Sequence, residues 1–238
     1  RSVGIGFQAL NAQNPSSNVD MYNTAVGYNA GTLVTTGTNN TLIGGLAGDA
    51  ITTGASNTAV GYNSLSANTT GIANVGLGQN SLANNTTASD NTALGSHSLD
   101  TNTTGASNTG VGRNALRANT TGASNTAVGA GALDENTTGG NNVALGADAL
   151  SVNTTGDANT AIGEDSLKAN TTASNNTAVG RRAMFANTTG TDNVAFGHNA
   201  LDANTTASNN TAIGHDALTA NTTGTLNTAM GAGALDAN

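Results

Sequence analysis

One pattern of polar and apolar positions returns along the whole chain. A threonine or valine is followed by a small residue, a large aliphatic residue and a glycine, as at Thr58-Ala59-Val60-Gly61. The residue before the glycine is always large and apolar, from Ile5 and Val26 through Leu77 and Leu145 to Phe196 and Met230. Two residues earlier, threonine alternates with its isostere valine at Val3, Val75, Val143 and Val194. Side chains alternate along a strand, so both positions are predicted to face the same way, inward. The small alanine or glycine between them is then expected to face out, against a neighbouring chain. Four residues after the glycine comes a second apolar anchor, such as Leu65, Leu82, Leu99 or Met184, replaced by Gly31 and Gly48 in two copies. Those two copies carry Val34 and Ile51 where asparagine stands elsewhere, so volume lost at one core position is restored at another.

The spacing is strict. Gly6 and Gly27 are 21 residues apart, and from Gly27 to Gly231 the glycine recurs every 17 residues without slippage. Gly61, Gly78, Gly95 and Gly112 belong to this column and are read as structural turns, where a side chain would clash or φ is positive. Asparagine fills two further columns, one through Asn57 and Asn91 and the other through Asn68 and Asn102. Residues stacked one coil above another can bond amide to amide, and asparagine also tolerates left-handed backbone at a bend. The Thr-Thr pair after Asn68 suits a short strand. A helical repeat would need roughly 34 residues. The chain is therefore expected to be all-β: a β-solenoid (β-helix or β-roll) of about fourteen stacked 17-residue coils forming an elongated rod. Residues 1–238 are taken as a single repeat domain, irregular at 11–22 where an insertion carries Pro15, and regular in 17-residue repeats from 23 to 238.

Composition sharpens this picture. Aromatics make up 3% and charged residues 8%, with 32 glycines, so there is little bulky apolar material to offset the ordering of the backbone. Ladders of hydrogen bonds and a partner chain are expected to help, the partner being a second and third copy in a parallel homotrimer. No atypical coil caps either end, so stacking on another molecule into an end-to-end filament, or continuation of a longer fibre, is the alternative. The chain starts at Arg1 without a methionine or signal peptide, which suggests an upstream part. The net charge is −8, and so few cations argue against nucleic acid. Cysteine is absent, which excludes disulfides and thiolate metal sites. No apolar run approaches the ~18 residues of a membrane span, so no membrane insertion is expected.

Candidate chemistry is sparse. His97, His198 and His215 stand just after the glycine turn, and His198 and His215 are one coil apart with Asp216 adjacent. A metal site there is weighed against solvated surface, and the sequence alone favours surface, with no metal or cofactor. Arg113, Arg117, Arg181 and Arg182 are read as scattered surface charge. Glu164-Asp165 and Asp134-Glu135 are adjacent carboxylates without a predicted cleft between them. Calcium nonapeptides, phosphate loops and nucleophile elbows do not occur. The reading is non-enzymatic.

The runs Asn57-Thr-Ala-Val-Gly-Tyr-Asn-Ser-Leu, Asn68-Thr-Thr-Gly and Asn193-Val-Ala-Phe-Gly resemble repeat regions of bacteriophage tail-fibre proteins and the head repeats of trimeric autotransporter adhesins. The resemblance covers nearly the whole chain and implies a trimeric fibre at the cell exterior or virion surface, concerned with attachment to a glycan or protein receptor. Recognition is then expected at the variable positions after the glycine, Tyr28, Tyr62, Arg113, Arg181 and His198. Two other readings stand beside it. One is an ice-binding solenoid presenting threonine columns such as Thr69, Thr86, Thr103 and Thr120, although adjacent threonines would expose only one of the pair. The other is a self-assembling extracellular filament subunit.

Overall fold

Each repeat contributes one three-residue strand and a succession of tight turns. The computed structural model describes residues 1–14 and 20–237, so Pro15 and the middle of the insertion lie outside the described residues. The chain divides into two compact units, Arg1–Thr121 and Gly122–Asn238. The first holds β1 (Val3–Ile5), β2 (Thr24–Val26), β3 (Thr41–Ile43), β4 (Thr58–Val60), β5 (Val75–Leu77), β6 (Thr92–Leu94) and β7 (Thr109–Val111). The second holds β8 (Thr126–Val128), β9 (Val143–Leu145), β10 (Thr160–Ile162), β11 (Thr177–Val179), β12 (Val194–Phe196), β13 (Thr211–Ile213) and β14 (Thr228–Met230). Within each unit the strands pair in parallel in chain order, and equivalent residues meet: Thr58 opposite Val75, Ala59 opposite Gly76, Val60 opposite Leu77. This is a β-solenoid of 17-residue coils. Among the described residues there is no helix, and so none long and apolar enough to cross a membrane.

Three-residue strands alone would be a weak sheet. Hydrogen bonding between coils continues round the turns. In the fourth coil the amides of Thr58, Leu65, Ala67 and Thr69 donate to the carbonyls of Asn74, Ser81, Ala83 and Thr86 in the next coil, at 2.8–3.0 Å. Its Gly61, Asn63 and Ala73 amides donate the other way, to Ile43, Gly45 and Ala55, at 2.8–3.0 Å. Buried backbone groups are thus satisfied without long strands. Thr69 and Thr70, expected as strand, lie in a bend. Their coil-to-coil bonds are made nonetheless.

The strand faces are the reverse of the sequence expectation. Ala59, Ala93 and Ala161 at the strand centres are fully buried, whereas Leu77, Leu145 and Phe196 at the strand ends are 48%, 45% and 57% exposed. The reason is the narrowness of the coil. Leu65, Leu82, Leu99 and their equivalents as far as Leu218 are fully buried and fill the interior, leaving room for only an alanine or glycine opposite. The exception proves the packing argument. Leu42 occupies one strand centre, and a Cβ on Gly31 or Gly48 would stand 2.7 Å from its methyl groups. The two missing leucines thus make way for Leu42, with buried Val34 and Ile51 completing the volume.

Backbone conformation adds a second reason for those glycines. Leu65 has φ of 53° and its equivalents cluster near it, while Gly31 and Gly48 take 60° and 56° at the same place. The position is left-handed in every coil, costly for leucine and free for glycine. The other left-handed positions fall on Ser56 and Asn63 (both 59°) and their equivalents. The two asparagine columns are therefore not the left-handed bends; their role is in the ladders.

Both ladders are buried. Asn85 Nδ2 donates to Asn68 Oδ1 (3.0 Å) and Asn102 Nδ2 to Asn85 Oδ1 (2.9 Å). In the other column Asn74 Nδ2 donates to Asn57 Oδ1 (3.2 Å), which also accepts from the Asn74 amide (3.0 Å). The columns converge: Asn57 and Asn68 both donate to the Gly71 carbonyl, at 2.9 and 3.1 Å.

The turn glycines have no substitute. Gly95 sits at φ of 135°, and a Cβ there would lie 2.5 Å from the Gly112 carbonyl oxygen of the next coil. Gly95→Ala is expected to cost about 3 kcal/mol or more in denaturant unfolding, against less than about 0.5 kcal/mol for Ser96→Ala beside it. Asn102→Ala removes an acceptor from Asn119 Nδ2 and donors from Asn85 Oδ1 and Gly105 O. It is expected to cost about 3 kcal/mol in the same measurement.

Candidate functional site

The reversal of the strand faces moves the largest apolar side chains to the surface. In the first unit the outward positions are threonine or valine in one column and Ile5, Val26, Ile43, Val60, Leu77, Leu94 and Val111 in the next. The second unit repeats this arrangement from Val128 and Leu145 to Phe196 and Met230. Neither column contains a charged residue. Parallel in-register pairing sets equivalent side chains about 4.8 Å apart, so each unit presents a continuous strip of methyl and hydroxyl groups. Scattered exposed aliphatics are ordinary on protein surfaces; an ordered column of them is a candidate interaction face.

Sequence reasoning placed these residues in the core and so missed the face. The sequence did carry a signal. Phe196 and Met230 stand where most copies have valine, isoleucine or leucine, each beside the usual strand-centre alanine (Ala195, Ala229), whereas Leu42 is matched by losses at Gly31 and Gly48. Uncompensated size variation belongs on a surface.

Immediately beyond the turn glycine the chain carries its most variable column, and all five residues expected in recognition lie in it. Tyr28 and Tyr62 are 58% and 57% exposed, with the Tyr28 ring stacked on Phe7 at 5.5 Å. Arg113 is exposed in the same column of the first unit. In the second unit Arg181 Nε donates to Glu164 Oε2 (3.2 Å), and Arg181 Nη1 stands 3.5 Å from His198 Nε2. His198 in turn stacks on His215, ring centroids 5.2 Å apart. The arginines do not form a cationic strip: Arg182 turns to Asp202 (3.1 Å) and lies 4.1 Å above the Phe185 ring. Glu164 and Asp165, adjacent in sequence, face different cations, Arg181 and Lys168.

Comparison with protein-family models, curated proteins and solved structures finds no match for this chain. Its surfaces must speak for themselves.

The threonine column first considered for ice is engaged in the fold. Thr69 Oγ1 donates to the Thr86 carbonyl and Thr86 Oγ1 to that of Thr103, both at 3.1 Å. Its neighbour in each pair turns outward, as at Thr70, Thr104 and Thr138, while the strand threonines such as Thr58 and Thr92 are half-buried on the outer face of the strands.

Among the acids and bases, Lys168 is raised above its ordinary range by its hydrogen bond to Asp165, with Asp148 adding to the effect. Burial pushes the Asp49 carboxyl up, the backbone amides of Asp49 and Ala50 offsetting part of the rise, and Asp49 Oδ1 has no partner among the described residues. The folded chain thus holds this proton more tightly than the unfolded one. The favourable contribution is present at acid pH and is lost as the pH rises from the ordinary carboxylate range through the raised folded value. Asp49→Asn, which carries no charge to desolvate, is expected to raise the denaturation midpoint at pH 7 and to change it little at pH 3.

Proposed function

We propose that the chain is a non-enzymatic structural segment of an extracellular or virion-surface fibre, assembled from parallel copies and contributing to attachment. The uncharged strand face carries this reading. A strip of aliphatic and threonine side chains repeating at the coil spacing is matched best by an identical strip, because a second copy laid parallel has the same repeat and stays in register coil after coil. Three parallel copies around one axis bring their strips together at that axis, the edge of each strip meeting the opposite edge of the next, which closes as a trimer. Once the strand faces are covered, the column after the turn glycine remains at the rim. Tyr28, Tyr62, Arg113, Arg181 and His198 vary there without disturbing the core, which suits contact with a glycan or protein receptor, aromatic and arginine side chains being favoured at such contacts.

One observation favours a second reading. Two adjacent columns, threonine and aliphatic, face outward from each strand, an arrangement suited to ice binding that the hydrogen-bonded Thr69 column does not provide.

Sedimentation of the whole chain at micromolar concentration distinguishes them. A trimer is expected, with Leu145→Lys combined with Phe196→Lys shifting it to monomer at unchanged circular dichroism. A wild-type chain that is monomeric overturns the assembled fibre. Thermal hysteresis abolished by Thr58→Lys and Thr92→Lys would then establish ice binding.

A further inference from the structure

The second unit brings three metal-binding side chains together at two successive coils. One donor atom from each of His198, His215 and Asp216 lies within 4.8 Å of the others. His198 and His215 hold the same position in their coils, which stacks their rings at 5.2 Å and 14°. Asp216, next along the chain, closes on His215, its Oδ2 lying 2.9 Å from His215 Nδ1. The other carboxylate oxygen accepts from Asn199 Nδ2 at 3.0 Å, which fixes the plane of the group. That is the supporting bond expected behind a ligating carboxylate.

Two features point beyond an ordinary ion pair. His198 Nδ1 is shielded from solvent and has no hydrogen-bond partner among the described residues. A second imidazole stacked on the first adds nothing to binding Asp216, whereas two imidazoles and a carboxylate are the donor set of late first-row divalent cations. We propose that His198, His215 and Asp216 form a surface site for such a cation, of the Zn²⁺, Ni²⁺ or Cu²⁺ kind, with water completing the coordination. Ligands 2.0–2.1 Å from a tetrahedral ion stand about 3.3 Å apart. Reaching that from 4.8 Å needs rotation of side chains and no backbone movement, since His215 is exposed and His198 half-buried. Hard oxygen-seeking cations such as Ca²⁺ are excluded by the two nitrogen donors.

Arg181 sets the strength of the site. Its guanidinium stands 3.5 Å from His198 Nε2, and its charge opposes a cation there. Its other partner, Glu164 at 3.2 Å, offers it an alternative position. The site is therefore weakened by a neighbour in the preceding coil that can be removed without touching a ligand.

The test uses the whole chain and ZnCl₂ alone, followed by isothermal titration calorimetry, with Co²⁺ absorption as a probe of nitrogen coordination. One ion per chain is expected. His215→Ala and Asp216→Asn should each weaken binding tenfold or more, and Arg181→Ala should tighten it several-fold. His97→Ala, which removes the separate His97–Asp100 pair, should leave it unchanged. Binding should weaken as the pH is lowered and protons compete for the imidazoles. All four positions are surface ones, and circular dichroism checks that each variant folds. Ring ¹⁵N resonances of His198 and His215 should shift with Zn²⁺ while those of His97 stay. Absence of saturable binding, or binding unaffected by His215→Ala and Asp216→Asn, overturns the proposal.

Discussion

A coil of 17 residues is so narrow that its walls nearly touch, and this sets the terms for everything else. In the coil of Leu150, that leucine with Ala144 and Ala149 fills the apolar part of the interior, and Asn142 and Asn153 are buried beside them. A buried amide is unfavourable unless each of its donors and acceptors is met. In an isolated coil they could not be. Stacking supplies the partners: Asn102 bonds Asn85 on one side and Asn119 on the other, while its remaining donor hydrogen goes to Gly105 within its own coil. The interior is therefore satisfied only as a stack, which is why the repeat keeps one length from Gly27 to Gly231.

The same narrowness decides what faces solvent. With no room inside for a second large side chain, the aliphatic residue at the end of each strand is forced outward, together with the threonine two places before it. β-Branched residues still suit a strand there, since they pack against their equivalents above and below. An exposed aliphatic column is thus a consequence of a thin coil as much as a binding device. The feature that supports the proposed self-association is that the column is uncharged through every coil, although charge would be tolerated at such positions and would keep copies apart.

The columns themselves were legible in the sequence because their spacing is exact in number and each carries one residue type. The Gly95 turn and the Asn102 ladder follow directly from that. The exchange of Leu42 for two leucines was half legible: the losses at Gly31 and Gly48 and the gains at Val34 and Ile51 were visible, but the residue that caused them stood in a position assigned to the outside. The orientation of the strand could not be read from alternation, which says that Thr58 and Val60 share a face without saying which. Large and apolar argued for inside. Only the depth of the coil, fixed by the left-handed turns at Asn63 and Leu65, reverses that choice. Those turns were hidden because leucine is a poor guide to positive φ.

A stacked architecture also changes how a site arises. In a globular fold, bringing two histidines together requires distant segments to meet. Here a substitution in one coil is automatically beside the same position in the next, so His198 and His215 become neighbours by recurring at one repeat position. Glu164 and Arg181 pair by the same rule, and so do the rings of Phe7 and Tyr28 across the longer first interval. The interior columns are held fixed by volume and hydrogen bonding, whereas the column after the glycine is free of both. Chemistry can therefore be written along that column coil by coil without cost to the fold, and adjacency in the column becomes the means by which single surface residues combine into sites.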